Sequence, residues 1–146
     1  MWVSNLNRLP TRARLVSWGM NISPLCCLCS ASIETRDHLL LSCGFSSSVW
    51  HMVQTRLRLP VLLFQDWDCL LLWLKLSTAS SPSILRKIAA HATVYAIWKQ
   101  RNNLLHNLQI IPSSTIFKSI DREVINSISA RCHRKSFRKL MRLWIR

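Results

Sequence analysis

Cys26, Cys29, His38 and Cys43 stand in the order Cys-x2-Cys-x8-His-x4-Cys. Thiolate and imidazole donors in this pattern can close a tetrahedral shell around one Zn2+. Two thiols two residues apart grip the ion from a tight turn, and the later His and Cys complete the shell. With all four positions filled by protein, no water is activated and the expected role is structural, because a catalytic zinc keeps one position open. Disulfides among the same cysteines are the competing use. They belong to oxidising compartments, whereas the chain shows no secretory signal and reads as intracellular. Cys27 lies between two donors and could replace either, but Cys27-x-Cys29 is too short for the usual grip. Cys69 and Cys132 read as buried or half-buried thiols outside the site.

The elements that must position these donors read as helices. Only two glycines, Gly19 and Gly44, leave little room for the turns of an all-β fold. Residues 2–8 and 11–18 predict two short helices, broken at Pro10 and stopped at Gly19 in a left-handed cap. Pro24-Leu25 stiffens the approach to the knuckle. Thr35 is the expected N-cap of a short helix presenting both His38 and Cys43, with Gly44 ending it. A helix over 46–58 puts Val49, Trp50, Val53 and Leu57 on one face before Pro60. The apolar segment 66–76 is far short of the ~20 residues that span a bilayer and predicts a buried helix. Ser77 to Ser83 is Ser/Pro-rich and reads as a linker. From Ser83 to about Asn107, Ile84, Ile88, His91, Tyr95 and Trp98 recur at helical spacing. Past Pro112, a last helix runs through Ile116, Ile120, Val124 and Ile128 toward the C-terminus, packing on its predecessor as a hairpin. The fold class is therefore mainly α. It has a zinc-knuckle-stapled helical domain over 1–76, a linker over 77–83, and a long helical hairpin with a basic C-terminal tail over 84–146. His51, His91, His106 and His133 lack partners at ligand spacing and read as surface or satisfied residues.

Several of these residues form a recognisable series. Arg8-Leu9-Pro10-Thr11-Arg12-Ala13-Arg14-Leu15, Trp18-Gly19, Pro24-Leu25-Cys26, Cys29, His38-Leu39, Cys43 and Trp50 resemble the reverse-transcriptase zinc-binding domain of plant LINE-like (non-LTR) retrotransposons. Ile97-Trp98-Lys99-Gln100-Arg101-Asn102-Asn103 resembles a second motif that follows it in such proteins, so the resemblance covers about residues 2–107. It implies Zn2+ held by Cys26, Cys29, His38 and Cys43, and a domain that follows a polymerase and helps hold nucleic acid. It also implies a C-terminal fragment lacking that polymerase, with Met1 an internal methionine adopted as a start. A retroelement reverse transcriptase acting in trans is the implied protein partner.

Catalysis is not expected. The chain has six acidic residues, Glu34, Asp37, Asp66, Asp68, Asp121 and Glu123, and no Tyr-x-Asp-Asp signature. A two-metal polymerase or nuclease needs clustered carboxylates. Asp66-x-Asp68 is the nearest approach and reads instead as the N-terminal turn of a helix. The formal net charge of +14 makes polyanions the natural partners. Arg131, Arg134, Lys135, Arg138, Lys139, Arg142 and Arg146 fall together without an acid among them, opposite Phe137, Leu140, Met141 and Trp144. Arg8, Arg12, Arg14 and Arg36 form a second, smaller patch near the metal donors, and Trp18 is a candidate for stacking on an unpaired base or for the core. RNA or DNA is the expected partner, with a zinc-stapled protein-interaction domain as the alternative. An amphipathic membrane-surface segment ranks last, and no membrane association is expected. The basic tail favours the nucleus over the cytoplasm.

Overall fold

The computed structural model describes residues 2–145; Met1 and Arg146 lie outside the described residues, and with them the expected internal start and the last of the seven C-terminal cations. The element order is α1 (Trp2–Asn5), α2 (Arg12–Ser17), a π-turn (His38–Ser42), α3 (Gly44–Arg56), α4 (Trp67–Lys75), α5 (Ser83–Asn107), α6 (Ser113–Ser129), α7 (Lys135–Arg138) and α8 (Leu140–Ile145). The fold is mainly α, and among the described residues the only β-pairing is one isolated antiparallel bridge, Leu25 to Ile33. No described helix is long and apolar enough to cross a membrane.

Local chemistry explains most element ends. Gly19 takes φ +88°, the left-handed position a glycine fills without steric cost, and closes α2 as expected. The Asp66 carboxylate accepts the Cys69 N–H at 2.8 Å and caps α4. Pro112 precedes α6, whose Ile116, Ile120, Val124 and Ile128 are buried against α5 and α3. Gly44 departs from expectation, because it opens α3 rather than closing the preceding turn.

The core is continuous across the 77–83 segment. Trp50 of α3, Phe64 of the following loop and Trp73 of α4 meet edge to face with centroids 5.1, 5.5 and 6.3 Å apart. The Trp50 indole N–H also donates to the Leu40 carbonyl at 2.8 Å. Residues 77–83 form an ordered turn rather than a loose tether. Ser81 is fully buried, Arg86 donates to its carbonyl at 3.2 Å and to the Trp73 carbonyl at 3.2 Å, and the Arg86 guanidinium lies over the Trp73 ring.

Three sequence expectations fail here for physical reasons. In α5 the stripe Ile84, Ile88, His91, Tyr95, Trp98 is not the buried face; Tyr95 and His91 are exposed. The buried face runs through Leu85, Ala89, Ala92, Thr93, Ala96, Ile97, Gln100 and Arg101. Small side chains let α3, α4 and α6 approach closely, so the contact surface is not the most hydrophobic one. The last helix also does not run on to the C-terminus. It stops at Ser129, and α7 and α8 fold back so that Phe137, Leu140 and Trp144 are buried. A straight helix would have left those three side chains in water. Cys69 and Cys132 are exposed, not buried, since α4 turns its Cys69 face outward and Cys132 lies in the turn after α6.

Candidate metal centre

The first pair of donors comes from a short ribbon. The Cys26 N–H donates to the Ser32 carbonyl at 2.8 Å and the Glu34 N–H to the Pro24 carbonyl at 2.9 Å, flanking the Leu25 to Ile33 bridge. Within this ribbon the Ser30 N–H donates to the Cys26 carbonyl at 2.7 Å, and Ser30 itself adopts φ +56°, which tightens the turn carrying Cys29. Peptide N–H groups of Leu28 and Cys29 are directed at the Cys26 sulfur, the usual way a knuckle turn stabilises a thiolate.

The second pair comes from the π-turn. Thr35 Oγ1 accepts the His38 N–H at 3.1 Å, confirming Thr35 as the local cap. His38 and Cys43 are five positions apart, too many for one α-helical turn of 3.6 residues. The Cys43 N–H bonds instead to the His38 carbonyl at 2.7 Å, an i to i+5 closure that brings the two donors to the same side. The wider turn also lets Leu39, Leu40 and Leu41 all be buried in succession. Cys43 then serves as the N-cap of α3, and the N–H groups of Phe45 and Ser46 point at its sulfur. A helix N-terminus favours negative charge, so α3 stabilises this thiolate.

The four ligand atoms lie within 4.8 Å of one another. Cys26 Sγ and Cys43 Sγ are 4.0 Å apart, and Cys29 Sγ is 3.2 Å from His38 Nε2. A tetrahedral zinc with ~2.3 Å Zn–S and ~2.0–2.1 Å Zn–N bonds needs edges of about 3.8 and 3.5 Å. The two closest pairs fit zinc within a few tenths of an ångström, and the whole set, spread over no more than 4.8 Å, closes on the ion with shifts of up to about 1 Å. In the protein alone, Cys26 donates to Cys43, which raises the Cys26 thiol and lowers Cys43. Burial lowers the His38 imidazole, which favours the neutral form a metal requires. Cys27, the alternative donor, is pushed up to about 12, first by burial and then by the Glu34 charge, and stays outside the cluster.

With the donors converged, the comparison with known families has a physical counterpart. Residues 1–50 match the family described as zinc-binding in reverse transcriptase. Neither the curated proteins nor the solved structures give a match to the chain. The matched segment contains all four donors and ends at Trp50 in the core.

Around this zinc-binding segment the basic residues divide sharply. Arg12 donates through its side chain to the Leu25 carbonyl at 3.0 Å, bracing the knuckle. Arg14 donates to the Asn7 carbonyl and lies over the Trp18 ring at 5.2 Å. Arg36 pairs with Asp37 at 2.5 Å, donates to the Ser4 carbonyl at 3.2 Å and stacks on Trp67. Arg8 is exposed and so is Trp18, at 60 %. Arg131, Arg134, Lys135, Arg138, Lys139 and Arg142 are all exposed.

One constellation had no chemistry assigned to it by spacing. Glu34 is fully buried; its Oε1 accepts from Arg101 Nη2 at 2.8 Å, Arg101 Nε at 3.2 Å and the Arg12 N–H at 2.9 Å, and its Oε2 accepts the Cys27 N–H at 3.3 Å. Arg101 also donates to the Pro10 carbonyl at 3.1 Å and lies over the Trp98 ring at 4.8 Å. The Arg-Leu-Pro-Thr stretch, the knuckle and the Trp98 to Asn103 motif thus meet at one carboxylate. The signal available in the sequence was a Glu inside a region otherwise poor in acids, paired with an Arg on an apolar helix face.

Proposed function

We propose that the chain is a non-catalytic, zinc-stapled module of retrotransposon reverse-transcriptase descent that assists RNA or DNA binding. The observation that carries this is the C-terminal cap. α7 and α8 bury Phe137, Leu140 and Trp144, and Arg131, Arg134, Lys135, Arg138, Lys139 and Arg142 are exposed around them, with no acid within that stretch to neutralise them and only Arg131 engaged, on the Ser127 carbonyl at 3.0 Å. Such a face offers phosphate contacts on a folded platform instead of a loose tail. Zinc has a structural part, since four protein donors leave no coordination position for a substrate. Arg8 is exposed near the metal donors and offers a further cation, whereas Arg12, Arg14 and Arg36 hold the N-terminal fold together. A retroelement reverse transcriptase in trans is the protein partner this descent suggests, and the basic face fits a nuclear location.

A salt titration of binding to single-stranded RNA and duplex DNA tests the proposal. If six cations meet duplex phosphates, the logarithm of affinity falls against the logarithm of salt with a slope of about −5. A flat dependence, or no binding at low salt, overturns it. A protein-docking scaffold is the second reading, favoured by Val61, Leu62 and Leu63, which are exposed in succession beside Phe64. It predicts zinc and folding without nucleic-acid affinity.

A further inference from the structure

A groove of about 390 Å³ lies between α3 and α6, lined by His51, Met52, Thr55, Arg56, Arg58 and Phe117. We infer that it is a nucleotide subsite for single-stranded nucleic acid, taking one base against Phe117 and Arg56 and its phosphate on Arg58. The inference rests on the nucleic-acid reading above and assigns a second contact region, separate from the α7–α8 face.

Three observations converge on that ligand. The first is polarity. Two arginines and a histidine line the groove without a carboxylate among them, and the one acid nearby, Asp121, is engaged by Arg56 at 3.3 Å and by the Trp144 indole N–H at 2.9 Å. The Arg58 backbone N–H donates to the Thr55 carbonyl at 3.0 Å, but its guanidinium has no ion pair among the described residues, so its charge is left for a ligand. The second is shape. Arg56 pairs with Asp121 at 3.3 Å and lies 5.5 Å from the Phe117 centroid and 5.7 Å from that of Trp144, so a planar cation and an aromatic ring stand together at an open site. Guanidinium and aromatic planes are the surfaces on which unpaired bases stack without regard to sequence. The volume suits one nucleotide and not a duplex. The third is backbone. Arg58 adopts φ +56° just after α3, a position where glycine is the unstrained choice, and that strained residue carries the unpaired cation. Through Arg56 the groove adjoins Trp144, which is buried on the inner side of α8.

The test uses the full zinc-loaded chain, uniform single-stranded RNA and DNA oligonucleotides carrying 5-iodouracil, and the variant Arg58→Gly. Glycine suits the left-handed position, so this variant should melt at or above the wild-type temperature. Its affinity should fall about threefold to tenfold, and its salt slope should become shallower by about 0.7. Photo-crosslinks should map to the peptides carrying Met52 and Phe117. Crosslinks confined to residues 131–142, with Arg58→Gly binding like wild type, would overturn the subsite while leaving the nucleic-acid reading intact. Failure of the wild-type chain to bind either oligonucleotide would overturn both.

Discussion

The arginines near the metal donors and those at the C-terminus are alike in type and in local density, yet the fold uses them in opposite ways. Arg12, Arg14 and Arg36 have carbonyls, Asp37 and aromatic rings within reach and are drawn inward. Arg134, Lys135, Arg138, Lys139 and Arg142 have no acid nearby in sequence and point to water. A cluster of positive charge is thus left facing solvent only where the fold supplies few internal acceptors. The acids decide the outcome, since three of the six, Glu34, Asp37 and Asp121, are engaged in ion pairs.

Removing the metal is the harshest way to break the comparison. A structural zinc supplies an apparent ~10–16 kcal/mol, against whole-domain stabilities of about 5–15 kcal/mol. The sequence alone suggests that the hairpin over 83–130 outlives the knuckle. The shared core and the Glu34–Arg101 pair lead to a different expectation: chelation, or Cys43→Ser, should abolish the helical signal of both halves in a single melting transition. Retention of the α5–α6 helicity after chelation would show that the hairpin folds alone.

Arg101→Leu probes the inward arginines. It leaves a buried, unpaired carboxylate and should cost about 3–5 kcal/mol. Protein that remains folded should keep the wild-type salt slope for nucleic acid. A changed slope at full stability would move Arg101 from the structural class to the binding class.

Replacing Arg131, Arg134, Lys135, Arg138, Lys139 and Arg142 by Gln probes the outward set. These side chains are exposed, so each change should alter stability by no more than about 0.5 kcal/mol. Most of the salt-dependent affinity should be lost, and titration at two ionic strengths would reveal it. If binding survives this change but disappears on altering Arg8, the active surface lies in the segment of the metal donors instead.

Acid should weaken the N-terminal region selectively. Burial lowers the His38 imidazole from 6.5, so the folded state holds it neutral. The unfolded state binds the extra proton first as pH falls, so the stabilisation is complete above about 6.5 and is lost through the lowered value, together with zinc. Metal release followed from pH 7 downward should begin before global melting at neutral pH would suggest, and His38→Cys should shift its midpoint. Trp18→Ala is the mildest test. The indole is exposed and shares only a cation–π contact with Arg14, so about 0.5–1 kcal/mol is expected.

The donor set was legible because zinc ligation imposes spacing on the chain itself. Cys-x2-Cys and His-x4-Cys are local patterns, and the turns that satisfy them form within a few residues. The same holds for Gly19, Asp66 and Pro112, each of which acts on its own helix end. The α5 face was not legible, because burial there follows from the close approach of α3, α4 and α6 over alanines rather than from hydropathy. Nor was the break after Ser129, which exists only to return Phe137, Leu140 and Trp144 to the core.

The amino-acid sequence by itself determined that this chain is helical, strongly basic and equipped to hold one zinc through Cys26, Cys29, His38 and Cys43. Tertiary structure alone decided which cations face solvent and which are consumed, that Glu34 and Arg101 meet across 67 positions, and that Arg56 and Phe117 wall a groove with Arg58. Ligand spacing is a property of neighbours along the chain. Exposure and pairing depend on which distant segments come together, and that is settled only when the core closes.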